Sequence, residues 1–466
     1  MITFWHPDSG HAIMPQKEWH SDSWDPKSYG RDYDFSRPFF EQWGELFKAV
    51  PKPALQTQYS TMIDSEYCNG ASDCKSCYLC FKFDRAEECG YCNSCSHMKN
   101  CFDVSWSNYA ELCYESVNLE HCYQVFFSQD CSDCHDVWYS RDLVGCSNCY
   151  GCINLRKKSY CIYNEQFSKE EYEKRIKEFD IKKAKAFFLT QPRRQFHGHK
   201  NQNVSGDYIW NSKNVRNSYW VDTGEDIRYG QFLQALNTKN AYDYTSFSFN
   251  AEWIYECCWV GLNSNNIKFS FWNYEAHNLE YCYGCHGGGN LFGCVGLRKG
   301  EYCILNKQYS PEEYFATISN IKLQMTKAGE YGEFFPAKLS PWAYNETHAG
   351  EYLTPLTKEQ ALAQGFSWRD EDKREYKPAS GDLLACRDCG RNYQLIGKEI
   401  QFLERFHLSK PDRCPLCRDR ARIRKLNPIA IYSRTCAKCG KDIETSYSPD
   451  RPEIVYCESC YQSEIL

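Results

Sequence analysis

Four C-x-x-C pairs stand near the end of the chain: Cys386/Cys389, Cys414/Cys417, Cys436/Cys439 and Cys457/Cys460. Two residues between the cysteines of a pair let one tight knuckle aim both sulfurs at a single ion, and a longer loop brings a second knuckle round to it. The spacing predicts two structural zinc sites. One uses Cys386, Cys389, Cys414 and Cys417; the other uses Cys436, Cys439, Cys457 and Cys460. An isolated C-x-x-C would also fit a redox motif, and buried reduced thiols are the plain alternative. Two consecutive sets of four favour metal.

The second candidate chemistry is electrostatic. From Arg387 to Lys441 there are 14 Lys and Arg against 5 Asp and Glu, on a chain whose net charge is −6. Arg418, Arg420, Arg422, Arg424 and Lys425 follow a knuckle directly. Small zinc modules with basic edges bind phosphate backbones, so these five are the candidate nucleic-acid-binding residues. A solvated or protein-docking face explains the same cluster equally well.

Sixteen further cysteines lie between residues 61 and 165, including the runs Cys74/Cys77/Cys80, Cys89/Cys92/Cys95 and Cys146/Cys149/Cys152. Three readings compete: stacked reduced thiols filling a narrow core, further zinc within residues 68–161, and an iron–sulfur cluster. They stand in that order, because no run carries the Cys-Pro ending of a bacterial ferredoxin. His197 and His199 flank one glycine as a chelating loop or, more simply, a polar linker. His135 and His286 read better as strand residues than as ligands. There is no phosphate loop, no G-x-S-x-G and no H-E-x-x-H, so no catalytic residue is assigned. The first residues lack a basic segment leading into an apolar one, and nowhere do 18 apolar residues run together. The expectation is a reducing cytoplasm and no membrane partner.

The elements that position these groups follow from rhythm. Residues 1–60 form an aromatic-rich arm in which Trp5, Trp19, Trp24, Phe35, Phe39, Phe40, Trp43 and Phe47 pack onto the body. A helix is expected from Arg37 to Val50, with Pro38 at its start and Pro51 beyond its end. In 61–165, successive members of the series Cys68, Cys77, Cys92, Cys101, Cys113, Cys122, Cys134, Cys149 and Cys161 are separated by multiples of three. Asn, Asp, Ser and Gly fill much of the space between, which suggests a solenoid of short strands. Recurrent intervals of 21 suggest one coil of a β-helix.

A longer repeat is gapless: residues 150–172 match residues 292–314 at an offset of 142, including Cys152/Cys294, Leu155/Leu297, Cys161/Cys303, Asn164/Asn306 and Tyr172/Tyr314. Each copy should end in a helix N-capped by Ser168 or Ser310, with Glu171 or Glu313 completing a capping box. The second copy replaces thiols by aromatics. Tyr219, Tyr229, Tyr242 and Tyr255, 10, 13 and 13 apart, read as core filler. In the connector, Thr357 to Gln364 reads as a short capped helix and Asp370 to Lys377 as a solvated charged stretch.

The segment 383–425, with CRDCG, IQFLERFHL and PDRCPLCRDRAR, resembles the treble-clef-type "probable zinc-ribbon" modules of bacteria. CAKCG and RPEIVYCESC, within 436–460, are similar to the small zinc ribbon that often follows. The resemblance implies the same eight cysteines as ligands. The body, through YGRDYDFSRPFFEQW at 29–43 and LRKKSYCIYNEQFSKEEY with its second copy, resembles uncharacterised Cys-rich bacterial proteins of candidate-phyla type. That group implies no activity.

The expected fold is mainly β: a duplicated right-handed β-helix-like solenoid with capping helices, plus two small C-terminal zinc-ribbon or treble-clef modules. The divisions are an arm at 1–60, solenoid copies at 61–190 and 191–330, a connector at 331–380, and zinc modules at 381–430 and 431–466. The expected function is a non-catalytic zinc-binding scaffold or adaptor that docks on nucleic acid or a ribonucleoprotein through the basic tail. A protein partner or a homo-oligomer is also allowed. The alternatives are a metal- or thiol-dependent redox enzyme using the Cys-dense copy, and a self-assembling structural protein.

Overall fold

The computed structural model describes residues 1–233, 237–370 and 375–465; residues 371–374 of the charged stretch lie outside them. The chain is mainly β, two solenoids of stacked parallel coils with few helices. The helices used below are α1 (Phe39–Ala49), α2 (Lys169–Arg175), α3 (Ile181–Leu189), α4 (Pro311–Lys327), α5 (Lys358–Ala363), α6 (Gly397–Arg405), α7 (Pro415–Ile423) and α8 (Glu458–Ile465).

The period of three is one side of a coil, and four sides close it. Through the first solenoid each residue pairs in parallel with the residue 12 later: Ala71 with Phe83, Phe83 with Cys95, Val117 with Gln129 and Gln129 with Arg141. The expected 21-residue coil is therefore corrected to 12; intervals of 21 span one coil plus three further sides. Every third residue takes a left-handed conformation, as at Asp73, Ser76, Leu79, Lys82, Arg85 and Glu88. Asn, Asp and Gly tolerate that conformation best, which is why they recur so often. The residue after each such corner points inward.

Four inward columns result. One runs Cys77, Cys89, Cys101, Cys113, Val125, Val137, Cys149 and Cys161, all within 3% of full burial. The coil interior is too narrow for large side chains on every side, so Phe83 sits in the same turn as Ala86 and the small Cys80 and Cys89. Cysteine fits because it is small and apolar with a weak donor. The Sγ of Cys122, for example, reaches the carbonyls of Glu120 at 3.4 Å and Cys131 at 3.3 Å. Serines take the same places. The N–H of Ser128 donates to Ser116 Oγ at 3.1 Å, that of Ser140 to Ser128 Oγ at 3.0 Å, and that of Cys152 to Ser140 Oγ at 3.0 Å.

The duplicated segment ends each solenoid in the same way. A short strand turns back antiparallel, Cys161 opposite Gln166 and Cys303 opposite Gln308. The Asn164 side chain plugs the last coil, accepting from Ile153 N and donating to Ile153 O, both at 2.9 Å. Asn306 does the same with Val295 at 2.8 Å. Helices α2 and α4 follow, N-capped by Ser168 and Ser310; the capping box is complete at Ser310. Glu171 instead pairs with Arg175.

Of the four tyrosines expected as core filler in the second solenoid, Tyr219 is buried but the other three are not. Tyr229, Tyr242 and Tyr255 are 42%, 38% and 37% exposed, while Ile227, Ala241, Ile254 and Ile267 line the interior. The spacing of 13 records coils one residue longer there, Ala241 pairing with Ile254 and Ile254 with Ile267. Inside, aliphatic residues replace most of the first copy's thiols, Cys257, Cys282, Cys285, Cys294 and Cys303 remain, and Tyr244 is an aromatic within this core.

Helix α1 runs between Pro38 and Pro51 as expected and covers this second solenoid. Trp43 Nε1 donates to the Tyr281 carbonyl at 3.0 Å, and Phe39 and Phe47 meet Phe292 and Tyr283 at ring separations of 5.3 and 4.9 Å. Phe35, expected in that packing, is 51% exposed. Helix α5 carries the expected capping box of Thr357 and Gln360.

Candidate metal centres

Both cysteine sets converge. The sulfurs of Cys386, Cys389, Cys414 and Cys417 lie within 4.8 Å of one another, as do those of Cys436, Cys439, Cys457 and Cys460. The local causes are the same in both. The first knuckle closes through a glycine in the left-handed region, Gly390 at φ 72° and Gly440 at φ 74°, where a Cβ would be strained. Their N–H groups donate to Cys386 O and Cys436 O, each at 2.9 Å. The second knuckle is a helix start: Cys414 precedes α7 and Cys417 lies in its first turn, while Cys457 precedes α8 and Cys460 lies in its first turn. Thiolates at helix N-termini are favoured by the unpaired N–H groups and the dipole.

A tetrahedral ion held by thiolates at about 2.3 Å requires sulfur–sulfur edges of roughly 3.8 Å. Cys389 and Cys414 are 3.7 Å apart, and Cys439 and Cys457 3.8 Å. Burial alone would raise the Cys386 thiol, but N–H groups of Cys414, Cys389 and Asp388 pull it down to about 6. Cys436 reaches about 6 in the same way, against burial, through N–H groups of Cys457, Cys439 and Lys438. Donor type, number and spacing thus fit a four-coordinate ion at both places.

Among the described residues no further set of three or more such ligands converges. The thiols of residues 68–161 stack along the inward columns, up to three in one coil as at Cys89, Cys92 and Cys95, with successive thiols of a column at the strand spacing of about 4.8 Å. His197 is no chelator either. It is buried, stacked on Tyr208 at 4.5 Å, with Nδ1 3.0 Å from Asp207 Oδ1. His286 packs edge-on to Trp272 at 4.8 Å, and burial lowers its pKa to about 3. His135 is exposed beside Asp136.

The basic cluster is where sequence and structure part. Arg418 and Arg422 are 1% and 0% exposed. Both turn inward from α7 onto Asp103, a fully buried corner residue of the first solenoid. Arg418 Nη1 lies 2.5 Å from Asp103 Oδ2 and 2.6 Å from Glu399 Oε1 of α6; Arg422 Nη1 lies 2.6 Å from Asp103 Oδ1. Arg422 also donates to Tyr91 O at 3.1 Å and to Ser105 Oγ at 3.1 Å. Arg420 pairs with Glu351, and Lys425 Nζ reaches the Glu115 carbonyl at 3.4 Å. Of the five candidate nucleic-acid residues only Arg424 is exposed. The reading of Arg418 and Arg422 as phosphate contacts is corrected: their charges are spent inside the molecule.

The second module is held by other means. Its strand Val455–Tyr456 pairs in parallel with Arg193–Arg194, between the two solenoids. Tyr461 of α8 donates to Asp142 Oδ2 at 2.6 Å on the first solenoid, and Ser446 Oγ donates to Asp207 on the second. The anchors Asp103, Glu399, Asp142 and Asp207 went unmarked in the sequence. The signal was there at the correct period: Tyr91, Asp103, Glu115, Phe127 and Tyr139 form one corner column at intervals of 12, with an acidic pair set among aromatics.

No family model matches the chain, and no curated protein matches it. Among solved structures, one similar chain is titled a "putative acetyltransferase" from Desulfovibrio desulfuricans G20, at 10% identity. The match covers 50% of this chain and 63% of that one, less than two thirds of its length, with a TM-score of 0.10. That likeness carries no argument here.

Proposed function

We propose that the protein is a non-catalytic scaffold in which two zinc-loaded four-cysteine modules clamp a pair of β-solenoids, leaving the outer solenoid faces for a macromolecular partner. Zinc is favoured over other ions by the all-thiolate tetrahedral donor set. The observation that carries this reading is the inward turn of Arg418 and Arg422 onto Asp103. A module built to bind a partner would keep its charges outside; this one uses them to seat itself on the solenoid. The body thiols are free and, Cys258 apart, fully buried, which suits a reducing cytoplasm. The Asn164 and Asn306 plugs and the reversed strands cover those ends of the solenoids, which argues against end-to-end assembly there.

The test is hydrogen exchange before and after metal removal by a chelator. Amides of 397–425, of 442–447 and of the coils beneath them should lose protection together and recover on adding zinc. Unchanged exchange would remove the clamp. A nucleic-acid partner would have to rely on Arg424 and other exposed cations. Replacing Arg418 and Arg422 by Ala should therefore undock the first module rather than simply lower the salt slope of binding.

A further inference from the structure

The loop joining α6 to α7 stands off the first solenoid and leaves a cleft of about 660 Å³. Its floor is two aromatic columns one residue apart. Phe127 and Tyr139 stack at 4.7 Å and 3°, and Trp138 and Tyr150 at 5.5 Å and 10°. Parallel rings in contact lie about 3.5–4 Å apart between planes, so a centroid separation of 5.5 Å means the rungs are offset and overhang. Phe406 supplies the facing wall, 5.0 Å from Phe126. Such a volume is typical of a small-ligand site.

One carboxylate in this cleft, that of Glu115, has no salt-bridge partner among the described residues. Arg413 lies 2.8 Å from Asp388, Asp412 accepts from Arg387 at 2.5 Å, and Arg418 belongs to Asp103 and Glu399. Glu115 lines the cleft, and no described residue forms an ion pair with its carboxylate. The nearby Lys425 directs its ammonium to the Glu115 backbone carbonyl instead. Burial, then the charge of Asp103, raises the Glu115 pKa, and the charges of Arg422, Lys425 and Arg418 oppose that rise without reversing it.

We propose that this cleft binds an organic ammonium cation with a methylated head, its methyl groups against Trp138, Tyr139, Tyr150 and Phe406 and its charge against Glu115. Aromatic surface beside a carboxylate that no described cation contacts directly suits a large, weakly hydrated cation better than a compact ammonium or an anion. Two sources share that chemistry, a free quaternary ammonium and a methylated lysine side chain. Because the cleft wall belongs to the first metal module and the floor to the solenoid, an occupant bridges the two.

Titration calorimetry on the metal-loaded full chain tests this with three probes: choline, its neutral isostere 3,3-dimethylbutan-1-ol, and a peptide carrying trimethyllysine. Choline, the peptide or both should bind, with the neutral isostere weaker by roughly 10-fold. The tighter of the two cations identifies the source. Glu115→Gln, shown by its melting transition to be folded, should lose roughly 10-fold in affinity, since it removes the one carboxylate of the cleft that no salt bridge already engages. Trp138→Leu should weaken binding as well; if it fails to fold, Glu115→Gln still decides. Equal binding of the isostere, an unaffected Glu115→Gln variant, or no binding by either cation overturns the proposal.

Discussion

Replacing Asp103 by Asn isolates the clamp. The side chain is fully buried, and its two oxygens receive Arg418 at 2.5 Å and Arg422 at 2.6 Å. Asn keeps the volume and removes the charge. Arg418 retains Glu399, and Arg422 retains Asp419 at 3.2 Å, so neither is stranded alone. Breaking a buried pair by removing one partner costs about 3–5 kcal/mol, and the surviving carboxylates place this case at the lower end, about 3 kcal/mol. That is a factor of about 10² in the ratio of docked to undocked module. The assay is hydrogen exchange across 397–425, supported by urea unfolding. Exposed Arg424→Ala, as a control, should stay within about 0.5 kcal/mol of the parent. If Asp103→Asn costs under about 1 kcal/mol and leaves exchange unchanged, the buried network does not hold the module and the reasoning fails.

Two further outcomes follow from named contacts. Burial would lower the His197 pKa, but Asp207 overrides it and raises it, while Asp207 is itself lowered. The histidine's contribution is present below its unfolded value of about 6.5 and is lost as pH rises through the higher folded value; the aspartate's is lost only in acid. Protection of 442–447 should therefore fall as pH rises above about 6.5, and His197→Gln should flatten that profile; a flat profile in the parent would contradict it. In the core ladder, Ser128→Ala leaves the Ser140 N–H without an acceptor and should cost about 1–3 kcal/mol in urea unfolding. No loss would mean the serine column is packing alone.

The two four-cysteine clusters were legible because their chemistry is local: a C-x-x-C knuckle and a helix start carry their own geometry wherever they sit. The duplication was legible too, and Asn164 and Asn306 recur because each closes a coil. The coil length was not. A side of three residues is written in every Cys interval, but how many sides close a turn depends on pairing between strands, which sequence spacing does not record. Tyr229, Tyr242 and Tyr255 misled for a related reason: a repeat spacing of 13 marks a position on the coil without saying which way it faces. Arg418 and Arg422 are a third kind of loss. A basic run advertises charge, yet the acid that neutralises it lies more than three hundred residues earlier, at Asp103, and only the fold brings them together.

Metal content measured by mass on the native chain tests the central claim most directly. Two zinc ions per chain are expected, falling to one in Cys386→Ser/Cys389→Ser and to one in Cys436→Ser/Cys439→Ser, with both retained in the solenoid variant Cys131→Ser. Iron with labile sulfide, or metal lost when Cys131 is changed, would contradict the assignment of the tail sulfurs to ions and the solenoid sulfurs to the core.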